Sequence, residues 1–166
     1  MSYCENEAEL IAAYEKARSV SDNATIVVER QLHGPEFYIN YVIADGKADL
    51  YFFTSEHNQP GYPANLYSII FTNSAHLSQW LDEMNDKVIR VFEQIGLTEG
   101  QAWVETILDE DGHFYILEMG YRWGGEMLYV PYESISGFDS LSWMIGCAFG
   151  EQHTEDDFPG LVPQPC

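Results

Sequence analysis

The chain has 166 residues, 46% of them hydrophobic and 14% aromatic. That is enough for one domain with a real core, or one lobe of a larger protein, and it excludes a disordered chain. With 27 acidic and 7 basic residues the net charge is −20, which argues against nucleic acid or an anionic membrane as a partner.

Leu10, Ile11, Tyr14 and Ala17 recur at helical spacing and predict a helix over Glu5 to Arg18. Ser19–Ala24 is polar and reads as a loop. Thr25–Glu29 is β-branched and reads as a strand, ended by His33-Gly34-Pro35. Phe37–Ile43 and Ala48–Phe53 predict two further strands, joined by Asp45-Gly46, a hairpin signal. Ser55–Asn65 is rich in turn formers and reads as a long polar loop of the kind that carries function. Leu66–Thr72 reads as another strand. Ser74 is placed to cap a helix whose stripe is Leu77, Trp80, Leu81, Met84, Val88, Phe92 and Ile95, with Gly96 as its stop. Trp80, Met84 and Phe92 are expected in the core.

The stretch QAWVETIL–DEDG–HFYILEMG then reads as a tight hairpin. If Asp111-Gly112 forms a two-residue turn, Glu105 falls opposite Glu118, with Cβ atoms about 4.5–5.5 Å apart on one face. A four-residue loop keeps both on that face, whereas a three-residue loop breaks the pairing. Like charges directly opposed destabilise a sheet unless a cation lies between them. Mg2+ suits the pair, because it takes carboxylates together with substrate phosphates; Mn2+ is an acceptable substitute. Beyond the hairpin, Asp139 caps a short apolar helix ending at Gly150. The lobe is taken as residues 1–151, and residues 152–166 as an acidic, proline-containing tail that is either a surface strap or disordered. Mixed strands and helices with antiparallel hairpins predict an α+β fold, an antiparallel sheet with flanking helices.

Cys4, Cys147 and Cys166 are odd in number and have no short spacing, which predicts a reduced, cytoplasmic protein. The acidic start MSYCENEAEL is not a signal peptide. No apolar run approaches the roughly 18 residues that would span a membrane. The lone histidines His33 and His57 are expected to be structural or exposed, and Cys147 buried and inert.

Two separated stretches, IVVERQLHGPEFYINYVI and WVETILDEDGHFYILEMGYRWGG, with a long helix between them, resemble the ATP-grasp superfamily. The resemblance is strongest to the C-terminal lobe shared by D-alanine–D-alanine ligase, biotin carboxylase and the carbamoyl-phosphate synthetase large subunit. It runs from about Glu7 to Glu151. It implies that Glu29 lies near the adenine amino group, that the backbone around Gln31 and Leu32 pairs with the adenine edge, and that Glu36 holds the ribose hydroxyls. The chemistry fits: the adenine edge offers a donor and an acceptor, and a carboxylate accepts from paired hydroxyls. Glu105 and Glu118 match the metal-binding carboxylates. Arg122 matches an arginine that contacts phosphate or the acyl-phosphate intermediate, although an arginine beside Trp123 also stacks or pairs for purely structural reasons.

Two departures stand out. The family usually has asparagine two residues after the second glutamate, where this chain has Gly120. The family's phosphate-gripping lysine and glycine-rich loop lie upstream of the helix near Glu5, so the chain reads as a fragment, or half of a split protein, inactive on its own. The resemblance implies an ATP- and Mg2+-dependent carboxylate–amine ligase working through an acyl phosphate. Its small carboxylate substrate would enter through the missing domain, and an exposed apolar cleft wall would allow self-association. Two alternatives stay open: a nucleotide- or metal-binding module without turnover, and a metal-free α+β interaction domain.

Overall fold

The computed structural model describes residues 2–59, 62–71, 75–125 and 127–162. The chain divides into two compact units, Met1–Leu32 and His33–Cys166. The first unit holds α1, Glu7–Val20. Its start is fixed by Asn6, whose side chain accepts from the Glu9 N–H at 3.0 Å, while the Glu9 carboxylate accepts from the Glu5 N–H at 2.9 Å. No residue of α1 is buried, and Leu10, Ile11 and Tyr14 of the predicted stripe are exposed. The predicted strand at Thr25–Glu29 is not formed. β-branched residues favour extended backbone, but a strand needs a ladder partner, and this stretch has none among the described residues.

The second unit is a five-stranded antiparallel sheet. In chain order its elements are β1 (Glu36–Ala44), β2 (Lys47–Gln59), β3 (Tyr62–Phe71), α2 (Ala75–Trp80), α3 (Asp86–Ile95), β4 (Gly100–Leu108), β5 (Phe114–Gly120), α4 (Tyr129–Ser136) and α5 (Ser140–Ala148). The strands lie in the order β3-β2-β1-β4-β5. β1 is central and buried on both faces from Phe37 to Ala44, which is why its sequence reads as a nearly unbroken apolar run. The predicted Ser55–Asn65 loop is instead mostly strand: β2 continues to Gln59 and β3 begins at Tyr62, with residues 60 and 61 outside the described set. Ladder hydrogen bonds come from the backbone, so a polar run pairs as well as an apolar one at an outer hairpin.

One face of the sheet is closed. Phe37, Ile39, Tyr41 and Phe53 pack there against Leu77, Trp80, Val88 and Phe92. The long predicted helix is broken into α2 and α3 by a π-helical turn at Leu81–Asn85, and Gly96 (φ +80°) ends it as expected. Ser74 lies outside the described residues. The π turn inserts a residue per turn and re-aims the helix beyond it. Leu81 and Ile95 are accordingly exposed rather than part of the stripe. The same turn presents Asn85 to the core, where it accepts from the Tyr41 hydroxyl at 2.9 Å; that hydroxyl accepts from Trp80 Nε1 at 2.9 Å. Burial pushes the Tyr41 hydroxyl well above the usual phenol range.

The opposite face is half covered. Tyr38, Val42, Tyr51, Phe52 and Trp103 meet Leu128 and Tyr132 of the C-terminal segment, which includes α4, unforeseen in the sequence. The tail closes this face as a strap: Val162 is buried, and its N–H donates to the Tyr51 carbonyl at 3.1 Å. Asp139 caps α5, accepting from the Ser142 N–H at 2.9 Å, and its carboxyl is held below the usual range by the Ser142 hydroxyl and N–H. Beyond the cover of the C-terminal segment, the face opens onto the acidic residues of β1, β2, β4 and β5.

Candidate functional site

Register decides which side chains share the open face. β4 and β5 pair with Glu105 opposite Glu118, as the sequence predicts, but the predicted turn is not the reason. The hairpin closes with a three-residue loop, residues 110–112: the Asp109 N–H donates to the His113 carbonyl at 3.0 Å, and Gly112 sits at φ +81°. That loop alone would carry the two glutamates to opposite faces. A one-residue bulge corrects it. Thr106 pairs with Ile116 and Glu105 with Glu118, which leaves Leu117 as the extra residue.

β1 and β2 repeat the device. Asp45 (φ +49°) and Gly46 (φ +75°) form a two-residue turn with both centres left-handed, as Asp-Gly predicts. A bulge at Tyr51 then shifts the register, so that Glu36 faces Glu56 rather than Ser55. Across the remaining pair, Tyr38 lies opposite Glu105 and Asn40 opposite Trp103. The start of β1 is held close to β4. The Leu108 N–H donates to the Pro35 carbonyl at 3.0 Å, and the His33 N–H donates to Asp109 Oδ1 at 2.8 Å. A Cβ at Gly34 would lie 1.9 Å from the Leu108 carbonyl oxygen, so this approach requires glycine.

The open face carries a cavity of about 170 Å3. Its acidic side is Glu56, Glu105 and Glu118; its other side is Arg122, Trp103 and the backbone of Gly124 and Gly125. It is smaller than the roughly 300–1,000 Å3 of a pocket for a whole small molecule. It matches a hydrated ion or a phosphate group. Among the described residues, Glu36, Glu56 and Glu105 bring ligand oxygens within 4.8 Å of one another; each is half-buried and has further partners in the protein. Carboxylates gather in this way without an ion, so the trio alone assigns none.

The predicted residues are thus distributed unevenly. Glu105, Glu118 and Arg122 border one cavity. Glu36 stands on the same face, opposite Glu56. Glu29, Gln31 and Leu32 belong to the N-terminal unit, in an irregular, largely exposed stretch; the backbone of Gln31 and Leu32 has no hydrogen-bond partner among the described residues. Arg122 donates from Nη1 to the Trp123 carbonyl at 2.8 Å and lies 5.3 Å from the Trp103 ring centroid, so it stacks on Trp103 rather than its neighbour. His57 is an exposed residue of β2, and Cys147 is half-buried with its thiol pushed up by burial. Sequence reasoning missed Glu56, Tyr38 and Trp103. The strand alternation of Trp103 with Glu105 was available as a signal; Glu56 was hidden inside a polar run.

Residues 2–129 match the ATP-grasp domain family. No curated protein matches the chain in sequence. Among solved structures, an L-amino acid ligase from Bacillus licheniformis superposes with a TM-score of 0.74 at 21% identity, covering 96% of this chain and 39% of that one. The biotin carboxylase domain of Hydrogenobacter thermophilus 2-oxoglutarate carboxylase, in complex with MgADP and bicarbonate, gives 0.71 at 25% identity, covering 90% and 33%. N5-carboxyaminoimidazole synthetase from Staphylococcus aureus, complexed with ADP, gives 0.65 at 14% identity, covering 91% and 38%. The chain therefore spans between a third and two-fifths of the length of these proteins.

Proposed function

Because the chain belongs to the ATP-grasp family, we propose that it supplies the nucleotide- and divalent-cation-binding wall of an ATP-dependent ligase. The observation that carries the proposal is the pairing of Glu105 with Glu118 at the edge of a cavity whose other side is Arg122, Gly124 and Gly125. Two opposed carboxylates offer hard oxygen ligands, which suit Mg2+, with Mn2+ as a substitute. The donor side suits an anion. The cavity thus fits a cation with a phosphate beside it, and Glu105 and Glu118 would hold the cation. Bound there, it neutralises charge on the nucleotide phosphates during transfer.

The chain's own residues have distinct tasks in this reading. Arg122 donates to the transferring phosphoryl group, its stack on Trp103 limiting the rotamers it loses on binding. Glu36 accepts from the ribose hydroxyls. Glu29 and the backbone of Gln31 and Leu32 answer the adenine edge. In the overall reaction a carboxylate oxygen attacks the terminal phosphorus of ATP. The acyl phosphate forms as ADP leaves, and an amine or related nucleophile then displaces phosphate. The small carboxylate enters through a part of the protein beyond this lobe, so the 166-residue chain is expected to bind nucleotide without turning it over. No described helix is long and apolar enough to cross a membrane; a reducing, cytoplasmic setting remains part of the proposal.

Titration calorimetry with MgADP tests it. Binding should require Mg2+ and fall at least tenfold in Glu105→Ala and Glu118→Ala, a loss of about 1.4 kcal/mol or more. Affinity unchanged by either substitution would favour the metal-free interaction domain. A second reading, a nucleotide-binding module without turnover, is favoured by Gly120, which offers no ligand where the family usually has asparagine. Adding whatever segment precedes Met1 in the native gene and assaying phosphate release separates the two.

A further inference from the structure

Three of the four tryptophans have their indole N–H satisfied. Trp80 donates to the Tyr41 hydroxyl at 2.9 Å, Trp143 to the Gly100 carbonyl at 3.1 Å, and Trp123 to the Ser140 carbonyl at 3.4 Å. Trp103 is different. It is only 5% exposed, and its Nε1 is buried without a hydrogen-bond partner among the described residues. A buried donor with no acceptor is costly and is rare in native structures.

The indole is held there. It stacks on Tyr38 with ring centroids 5.2 Å apart and planes at 25°, and Arg122 lies against it. Gly120 is its cross-strand partner on β5. A Cβ at Gly120 would lie 2.4 Å from indole Cε2 and Cζ2 and 2.7 Å from Nε1. Position 120 is therefore glycine because the Trp103 ring fills the space a side chain would take. Where an asparagine oxygen would offer a cation a ligand, this chain presents an N–H donor. The indole borders the same cavity as Arg122, Glu105 and Glu118. A donor beside a guanidinium calls for an anion.

We propose that Trp103 Nε1–H donates to a phosphate oxygen of the bound nucleoside diphosphate or triphosphate, beside Arg122, and that the Trp103–Gly120 pair replaces a second cation site, leaving one. This rests on the nucleotide reading above. It makes Trp103 a ligand-contacting residue rather than a packing residue.

The test uses the 166-residue chain with 15N-labelled tryptophan, whose four indole signals are assigned with Trp80→Phe, Trp103→Phe, Trp123→Phe and Trp143→Phe, each of which removes one signal. MgADP should move the Trp103 indole signal downfield and leave the Trp80 and Trp143 signals in place. Trp103→Phe should bind MgADP about tenfold more weakly, and Mn2+ should bind at one equivalent in the presence of ADP. An unmoved Trp103 signal with MgADP bound, or two equivalents of Mn2+, overturns the proposal. Because the shift is read on the unsubstituted protein, a poorly folded variant does not blunt it. If MgADP binds and Glu118→Gln weakens it while the Trp103 signal stays still, only this inference fails. If MgADP does not bind at all, the nucleotide reading fails and takes this one with it.

Discussion

In the β1–β2 hairpin the chain reverses through two residues, Asp45 and Gly46, both left-handed; in the β4–β5 hairpin it reverses through three, and only Gly112 is left-handed. Each hairpin then adds a single bulged residue, and each bulge sets one glutamate opposite another: Glu56 opposite Glu36, Glu118 opposite Glu105. The bulged residues differ. Tyr51 is fully buried, and its carbonyl, freed from the ladder, accepts from Val162. Leu117 is 47% exposed on the edge strand. One register shift is therefore built into the core, while the other touches little besides the site. Stability should follow the first and ligand binding the second.

The largest expected effect breaks that division on the core side. Tyr51→Ala should cost roughly 3–5 kcal/mol, because it removes a buried aromatic ring and leaves a cavity. Leu117→Ala should cost less than about 1 kcal/mol, since its side chain is half in water. Urea unfolding of both variants measures the gap. Next comes the exchange Leu117→Glu with Glu118→Leu, which keeps the composition and moves the carboxylate onto the bulged residue, out of its place opposite Glu105. MgADP affinity should drop on the order of 100-fold, about 2.7 kcal/mol, with far-ultraviolet circular dichroism retained. Retained affinity after the exchange would detach the site from the register.

The turns themselves should matter less. Gly46→Ala and Gly112→Ala place a Cβ where nothing lies within 4 Å, so only the backbone conformation is penalised, at about 1–2 kcal/mol each. Similar losses for both would show that the turns differ in length and not in strain. The smallest effect is expected for Asp111→Ala. Asp111 accepts from the His113 N–H at 3.1 Å and the Tyr115 hydroxyl at 2.7 Å, both exposed, and losing them should cost about 1 kcal/mol. Thermal unfolding of this variant beside the two glycine variants ranks the contributions within the loop.

Much of this was legible in residue order. Apolar runs located β1, and the hairpin pattern β4 and β5; Asp45-Gly46 gave its turn correctly, and the Asp139 cap and the Gly96 stop mark helices that form. The rest failed for identifiable reasons. Asp111-Gly112 suits a two-residue turn or the end of a three-residue loop, because both need a left-handed glycine. The bulges at Tyr51 and Leu117 carry no glycine or proline to announce them. SEHNQ looks like loop because it is polar, although an outer hairpin pairs through its backbone. Thr25–Glu29 looks like strand because propensity cannot supply a partner. Gly120, read as a missing ligand, is explained only by the Trp103 ring lying across it, a contact between strands that no local pattern encodes.

The account depends on where a cation sits. Mn2+ titrated into the 15N-labelled chain in the presence of ADP broadens amide signals according to distance from the ion. We expect the signals of Glu105 and Glu118 to disappear first and those of α2 and α3 to persist, with the effect lost in Glu118→Gln. Broadening centred on Glu36 and Glu56 that survives Glu118→Gln would contradict the assignment of the cation to the β4–β5 pair.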